Sequence, residues 1–217
     1  MPAELILGLA LAYLFLDRMP GRQVFVALLV LPVTISPVVA GATWRLLFDN
    51  RFGPINQILG WFSDQPVTIL WTVDPTFVYV AILMAEVWQW TPFMFLLLLA
   101  GLVSLPKEPY LAAAIDGAGP IRTFWQVTFP LMAPISIGAL IIRLIEASKI
   151  MDTVYVMTSG GPGTATETSS YYIYIRGLRD FQIGYSAALS LTYLVIMIVS
   201  LTIIAKVLIR LLVARDA

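Results

Sequence analysis

The chain has 217 residues, 59% of them hydrophobic and 12% charged, and its formal net charge at pH 7 is zero. So little polar surface would make a soluble domain aggregate, and a neutral chain gives no reason to expect a nucleic-acid partner. The sequence has no cysteine and no histidine, which excludes disulfides and thiolate metal sites and removes the usual catalytic base. The composition favours an all-α integral membrane protein in a lipid bilayer, without a catalytic or metal site.

Five segments are apolar enough to be membrane helices. A spanning helix needs about 20 mostly apolar residues; the first segment is shorter than that, and the other four are long enough. Pro32 and Pro37 lie inside the second segment, where proline is expected to kink a helix. We predict a polytopic helical bundle whose five spans are residues 3–16, 23–48, 76–103, 128–150 and 186–212.

The segment between the third and fourth spans, residues 104–134, is the longest that cannot lie in hydrocarbon. It reads SLPKEPYLAAAIDGAGPIRTFWQVTFPLMAP and is rich in charges and prolines. A short helix is predicted over residues 111–115, and Asp116-Gly117 ends it because glycine readily adopts a left-handed turn. A second helix is predicted over residues 121–129, closed by Pro130. A helix, a glycine turn and another helix form a compact surface suited to docking on a partner.

The distribution of Lys and Arg between the loops indicates the orientation, because positive side chains concentrate on the cytoplasmic side. One set of loops carries seven cations and four carboxylates, and the other carries three cations and seven carboxylates. The first set is predicted to be cytoplasmic, which places the loop 104–127 and the C-terminus inside and Met1 outside. The inner set is Arg18, Arg22, Lys107, Arg122, Lys206, Arg210 and Arg215 with Asp17, Glu108, Asp116 and Asp216; the outer set is Arg51, Arg176 and Arg179 with Glu4, Asp49, Asp64, Asp74, Asp152, Glu167 and Asp180.

The motif LAAAIDGAG at residues 111–119 resembles the cytoplasmic EAA loop of permease subunits of bacterial ATP-binding-cassette (ABC) importers, in particular the carbohydrate (maltose-type) permeases. Leu111 stands where that family usually has Glu, and Phe129 where it often has Leu. The positions that match are Ala112, Ala113, Asp116, Gly117, Ala118 and Pro130. The resemblance implies that residues 104–127 are a coupling loop that docks on an ATPase subunit. The candidate coupling residues are then Leu111, Ala112, Ala113, Asp116, Gly117, Ala118 and Gly119.

The resemblance covers nearly all of the chain and implies a single transmembrane domain over residues 1–217 with the fold of type I ABC importer permeases. The core of that family has six spans, with a further helix before the first one found here. We therefore expect that the chain lacks the first helix and part of the second.

Two outer loops are predicted, over about residues 49–75 and 151–185. Trp61 and Trp71 lie in the first of them, where indoles favour the membrane–water interface. In the second, residues 154–168 contain a Gly-Gly-Pro-Gly turn. A phosphate-binding loop of the Walker type needs a Lys after its glycines, which is missing here. A flexible outer loop is expected instead, and the resemblance implies contact with a solute-binding protein. Ser169–Tyr174 is predicted to be a short surface helix.

Arg45 and four further charged residues lie inside the predicted spans, all toward their outer ends. One alternative is that Arg143–Glu146 and Glu146–Lys149 pair locally while Arg45 and Lys149 extend to the surface. The other is that these groups line a water-filled cavity. A carboxylate, an amide and aromatic faces near Glu86 suit a polyhydroxylated solute. The resemblance places the solute site on the same helices, which makes the candidates Glu86, Gln89, Trp90, Phe93, Arg143, Glu146 and Lys149.

The function implied by the resemblance is that of an inner-membrane permease subunit of an ATP-driven, binding-protein-dependent importer for a sugar or related solute. Its implied partners are an ATPase subunit dimer, a second homologous permease and an extracytoplasmic solute-binding protein. ATP and Mg would be bound by the ATPase, so this chain would be no enzyme and would bind no cofactor. The alternative is an ion- or proton-coupled secondary transporter, which also has charges at membrane depth. The coupling loop argues against it.

Overall fold

We describe a computed structural model of the protein, which covers residues 1–16, 19–62 and 67–213. Within these ranges the chain forms helices joined by turns and contains no strand. The charges at Asp17, Arg18, Asp64, Arg215 and Asp216, which contributed to the predicted orientation, lie outside the described residues. The helices are α1 Pro2–Leu14, α2 Arg22–Thr34, α3 Pro37–Leu47, α4 Pro54–Phe62, α5 Phe77–Ser104, α6 Glu108–Ile115, α7 Pro120–Thr123, α8 Phe129–Ser148, α9 Asp152–Met157, α10 Ser169–Tyr174 and α11 Ile183–Val213.

Three of the described helices are long and apolar enough to cross a membrane. They are Phe77–Ser104, Pro120–Ser148 and Ile183–Leu208, and their 18-residue windows have mean hydropathies of 1.5, 1.8 and 2.4. α1 is apolar but shorter, with 13 residues. These helices agree with four of the five predicted segments, and α10 has the predicted bounds of the short surface helix.

The second predicted span is not one kinked helix. α2 and α3 are separate helices, bent by 96° at the break between them. Ser36, the residue before Pro37, has φ −55° and ψ 136°, because a residue that precedes proline is sterically driven out of the helical region. Pro37 then occupies the first turn of α3, where its missing N–H is not needed. Pro37 therefore ends α2 by restricting the residue before it, and it begins α3.

The helix after the glycine turn is not closed by Pro130. α7 continues through a π-helical segment, Phe124–Thr128, directly into α8. The N–H of Phe129 donates to the carbonyl of Phe124, five residues earlier. This wider turn changes the pairing of the carbonyl groups ahead of Pro130, and such π segments are a known way for a helix to pass an irregular position.

The chain divides into two compact units. The first comprises residues 1–30, 91–145 and 199–217, and the second comprises residues 31–90 and 146–198. The first unit contains α1, the coupling loop and most of α8, and its core is formed by Ala12, Phe15, Phe95, Leu98, Leu99, Leu102 and Met132. The second unit contains the segments predicted as outer loops. It has two apolar clusters, one around Phe48, Trp71, Ala81, Ala85 and Met157 and one around Val78, Ile82, Val154 and Tyr171.

Trp71 belongs to that buried core and not to the membrane interface. Its side chain is 7% exposed, and its indole N–H donates to the Asn56 Oδ1 at 2.8 Å. Asn56 in turn donates to the Ile69 carbonyl at 3.0 Å. Trp61 differs, because it is 80% exposed. The outer segment is thus a folded structure built around α4, with one indole inside it and one outside.

Close packing of α1 on α5 gives a first prediction. A Cβ added at Gly8 would lie 2.8 Å from the Met94 Cβ and 3.0 Å from the Phe95 backbone nitrogen. Backbone cannot move aside cheaply, so we expect Gly8→Ala to lower the free energy of unfolding by about 1–3 kcal/mol. Gly138→Ala is the matched control, because nothing lies within 4 Å of its added Cβ. Thermal unfolding in detergent measures both; equal melting temperatures would contradict the close packing.

Candidate coupling loop and solute-contact residues

The coupling loop contains a helix that ends in a glycine turn. Gly117 has a φ of 68°. Its N–H donates to the Ala114 carbonyl at 3.2 Å, and the N–H of Ala118 donates to the Ala113 carbonyl at 2.9 Å. These two bonds form a Schellman motif, which needs a left-handed residue at position 117. The sequence prediction that Asp116-Gly117 ends the helix is confirmed.

The coupling loop exposes three large apolar side chains. Leu111 is 63% exposed, and Ile115 and Ile121 on either side of the glycine turn are 87% and 76% exposed. Exposed side chains of this size, gathered in a short loop between long apolar helices, are typical of a protein interaction site. Of the other predicted coupling residues, Ala113 is buried, Ala118 is half-buried, and Ala112, Asp116, Gly117 and Gly119 are exposed.

Arg143 is the most deeply buried of the predicted solute-contact residues. Its side chain is 3% exposed and pairs with Glu4, which is 2% exposed. The guanidinium donates twice, from Nε to Oε2 at 2.8 Å and from Nη2 to Oε1 at 3.0 Å. Two parallel bonds of this kind fix the positions of both groups. A charge assigned from the sequence to the outer loops, Glu4, is therefore part of a buried ion pair.

Glu86 and Thr153 form a second buried polar contact. Glu86 is 8% exposed and Thr153 is 3% exposed, and the Thr153 hydroxyl donates to the Glu86 Oε1 at 3.1 Å. Thr153 reaches this position because α9 packs on α3 at Gly41, where an added Cβ would be in van der Waals contact with the Thr153 Cα at 3.5 Å. The carboxylate is held in place by an element that the sequence analysis had assigned to a loop.

Gln89 supports the break between α2 and α3. Its Nε2 donates to the Ile35 carbonyl at 2.9 Å, and Gln89 is 4% exposed. A carbonyl at a helix break has lost its partner within the helix, and a buried carbonyl without a hydrogen bond is costly. This side chain therefore has a structural partner in addition to any contact with solute.

Glu146 and Lys149 pair locally, as one of the two alternatives predicts. The Lys149 Nζ lies 2.8 Å from the Glu146 Oε1, and the side chains are 59% and 35% exposed for Lys149 and Glu146. Arg45 is exposed and donates to the Val156 carbonyl at 3.0 Å. Trp90 and Phe93 are half-buried.

Sequence reasoning missed Glu4 and Thr153 as members of these contacts. Glu4 is a carboxylate on an otherwise apolar helix, the third residue of α1, and this pattern was the available signal. For Thr153 there was no signal, because its role depends on the packing of α9 on α3. Within the described ranges, no group of three or more His, Cys, Asp or Glu side chains could hold a metal ion.

The Gly-Gly-Pro-Gly segment is joined by hydrogen bonds to the residues that follow it. The Thr166 hydroxyl donates to the Gly161 carbonyl at 2.8 Å, and its N–H donates to the Gly160 carbonyl at 3.1 Å. The Tyr171 hydroxyl donates to the Ser159 carbonyl at 2.9 Å. Gly160 has a φ of 83°, which favours glycine at that position. The segment presents a defined surface.

This chain is similar in sequence and in fold to known proteins. The family described as binding-protein-dependent transport system inner membrane component matches residues 5–215. The trehalose/maltose transport system permease of Thermococcus litoralis is 40% identical over 202 residues, which are 93% of this chain and 67% of that protein. The sn-glycerol-3-phosphate transport system permease of Yersinia pestis is 36% identical over 203 residues, 92% of this chain and 67% of the relative.

The sulfoquinovosyl glycerol transport system permease of Agrobacterium fabrum is 36% identical over 193 residues, 87% of this chain and 61% of the relative. The chain thus spans about two thirds of the length of these relatives. The crystal structure of a bacterial ABC transporter involved in the import of the acidic polysaccharide alginate is similar in fold, with a TM-score of 0.79, 21% identity and coverage of 96% of this chain and 72% of that one. The chain therefore belongs to the family of inner membrane components of binding-protein-dependent transport systems, with the type I ABC importer permease fold.

Proposed function

We propose that this chain forms half of the translocation pathway of an ATP-driven, binding-protein-dependent importer for a sugar or related polyhydroxylated solute. The observation that carries the proposal is the coupling loop. Its glycine turn and exposed apolar residues form a compact surface between two helices long enough to cross a membrane. In a membrane protein such a surface, outside the apolar helices, calls for a protein partner.

The partner at the coupling loop is proposed to be an ATPase dimer, which binds ATP and Mg and carries out the hydrolysis. The sequence supports the assignment of ATP binding to a separate subunit, because the glycine-rich segment of this chain has no following Lys to hold a phosphate. ATP binding closes the ATPase dimer and displaces the coupling loop, which rocks the membrane helices between inward-open and outward-open states. The charge distribution favours a cytoplasmic position for both the coupling loop and the C-terminus.

Two further partners complete the proposed transporter. A second, homologous permease supplies the other half of the pathway. An extracytoplasmic solute-binding protein delivers the solute to the outer segments, where the hydrogen-bonded Gly-Gly-Pro-Gly turn offers a defined surface. A solved relative in fold, at 20% identity and a TM-score of 0.77, is an alginate ABC transporter in complex with a periplasmic protein bound to an alginate pentasaccharide.

The charges of the candidate solute residues favour a neutral solute. Arg143 is paired with Glu4, and Lys149 with Glu146, so both cations are already neutralised by carboxylates of this chain. The remaining candidates are the Glu86 carboxylate, the Gln89 amide and the aromatic faces of Trp90 and Phe93. Such groups hydrogen-bond hydroxyls and stack on sugar rings, whereas an anionic solute would need an additional cation.

Uptake by the reconstituted transporter tests both the function and the solute class. Proteoliposomes would contain this permease, its partner permease and the ATPase, with the binding protein outside. We expect ATP-dependent uptake of trehalose or maltose and none of glycerol 3-phosphate, because the candidate residues leave no unneutralised cation for a phosphate. Preference for the phosphate would contradict the neutral solute class. Uptake that persists without ATP and collapses with the ion gradient would contradict the proposed function and favour a secondary transporter.

A further inference from the structure

A buried hydroxyl joins the coupling loop to the start of α8. Thr128, the last residue of the π-helical segment, is 1% exposed. The Tyr110 hydroxyl donates to the Thr128 Oγ1 at 3.1 Å, and the Tyr13 hydroxyl lies 3.4 Å from the same oxygen. Tyr110 is on α6 and Tyr13 is on α1, so one threonine hydroxyl connects three helices of the first unit.

The backbone between Tyr110 and Thr128 is poorly suited to transmit a displacement by itself. It passes through Gly117 and Gly119, and nothing lies within 4 Å of a Cβ added at either position. The turn is held by backbone hydrogen bonds without packing at these two glycines, so a direct contact between α6 and the π-helical segment gives a push on α6 a second path. The Tyr110–Thr128 hydrogen bond bypasses the turn by joining α6 directly to the π-helical segment.

The segment that receives this hydrogen bond is also irregular. Phe124–Thr128 has hydrogen bonds between residues five apart, and such segments recur at functional sites because the helix can bend or shift there. Phe124 is packed edge-on against the Tyr13 ring, with ring centroids 5.6 Å apart. The π-helical segment therefore contacts α1 through Tyr13 and α6 through Tyr110.

We propose that the Tyr110–Thr128 hydrogen bond transmits the movement of α6 to α8, with Tyr110 and Thr128 as positioning residues for coupling. The inference rests on the proposed function, in which the coupling loop receives the force. Leu111, the neighbour of Tyr110, is 63% exposed and available to a partner. The same short helix thus carries a partner-facing residue and, directly before it, the residue bound to the membrane helix.

A cysteine reporter on α8 tests the transmission without knowledge of the solute. The chain has no cysteine, and Gly138 is exposed with nothing within 4 Å of an added Cβ, so Gly138→Cys introduces a single label site. In the reconstituted complex with cysteine-free partner subunits, we expect the non-hydrolysable ATP analogue AMP-PNP to change the maleimide labelling rate at this position. Tyr110→Phe and Thr128→Val should each reduce that response about fivefold, because the loss of one hydrogen bond changes an equilibrium constant by about that factor.

Matched variants separate transmission from a purely structural role. Thr128→Ser keeps the hydroxyl and should retain the response. Tyr13 is on α1, outside the coupling loop, and its hydroxyl lies near the same oxygen. Tyr13→Phe removes this hydroxyl and should also retain the response. The double variant Tyr110→Phe/Thr128→Val removes both hydroxyls of the hydrogen bond, so neither is left without the other and the melting temperature should return toward wild type, while the labelling response should stay low.

The outcomes distinguish this inference from the proposed function. If AMP-PNP changes nothing in the otherwise wild-type complex, the proposed coupling to an ATPase is wrong. If it changes the labelling rate equally in the parent protein and in Tyr110→Phe, the coupling stands and the transmission by this hydrogen bond is wrong. Recovery of the response together with stability in the double variant would likewise show that the hydrogen bond contributes only to packing.

Discussion

Replacing Gly117 with proline is expected to abolish binding-protein-stimulated ATP hydrolysis and solute uptake, while the permease still inserts in the membrane. Position 117 has a φ of 68°, whereas proline is fixed near −65°. Proline also lacks the N–H that Gly117 donates to the Ala114 carbonyl at 3.2 Å. The turn cannot keep its shape, so α6 and the exposed apolar surface around it would be displaced. Assays of ATPase activity and uptake in proteoliposomes measure the loss.

Two substitutions in the same loop serve as controls. Gly117→Asn should retain most activity, since asparagine adopts left-handed conformations at a small energetic cost. Gly119→Ala should keep the shape of the turn, because Gly119 has φ −71° and ψ 167° and nothing lies within 4 Å of its added Cβ. Normal coupled uptake by Gly117→Pro would contradict the role proposed for the loop, and equal losses in all three variants would show that the left-handed conformation is not what matters.

The sequence was sufficient to predict those structural features that depend on residues close to each other along the chain. The long apolar spans follow from composition alone. The end of α6 follows from Gly117, because few other residues accept its backbone conformation. Thr168 caps α10 by accepting a hydrogen bond from the Tyr171 N–H at 3.2 Å, and this local bond explains why the helix begins at the predicted Ser169. In each case a residue and its near neighbours determine the structure.

The features that could not be predicted depend on contacts between distant parts of the chain. Glu4 and Arg143 are 139 residues apart in sequence, and their local patterns do not indicate each other. Trp71 has the same side chain as Trp61, yet only Trp71 meets Asn56 and becomes buried. The break at Pro37 was visible as a proline, but the hydrogen bond from Gln89 to the Ile35 carbonyl at the break joins residues 54 apart in sequence and was not.

Among the ion pairs of the described residues, the Glu4–Arg143 pair is expected to have the larger effect on stability. Replacing Arg143 with Met removes both short hydrogen bonds of the buried Glu4 carboxylate to the guanidinium and leaves the Met1 amino group, at 3.6 Å, as its neighbouring cation. Breaking a buried pair on one side costs about 3–5 kcal/mol, which is a large part of the stability of an ordinary domain. We expect Arg143→Met and Glu4→Gln to lower the melting temperature in detergent and the amount of protein in the membrane.

The exposed Glu146–Lys149 pair is the control for burial. A double variant of Glu4 and Arg143 separates the effect on stability from the effect on transport. Lys149→Met breaks a pair of the same length, 2.8 Å, but both partners are partly solvated, so its cost should stay below about 1 kcal/mol. Equal destabilisation by Lys149→Met and Arg143→Met would contradict the importance of burial. In Glu4→Met/Arg143→Met both charges are absent, and stability should recover largely, since apolar replacement of a whole buried pair is often neutral. If Arg143 also positions solute, this stable variant will still transport poorly; normal uptake would restrict Arg143 to a structural role.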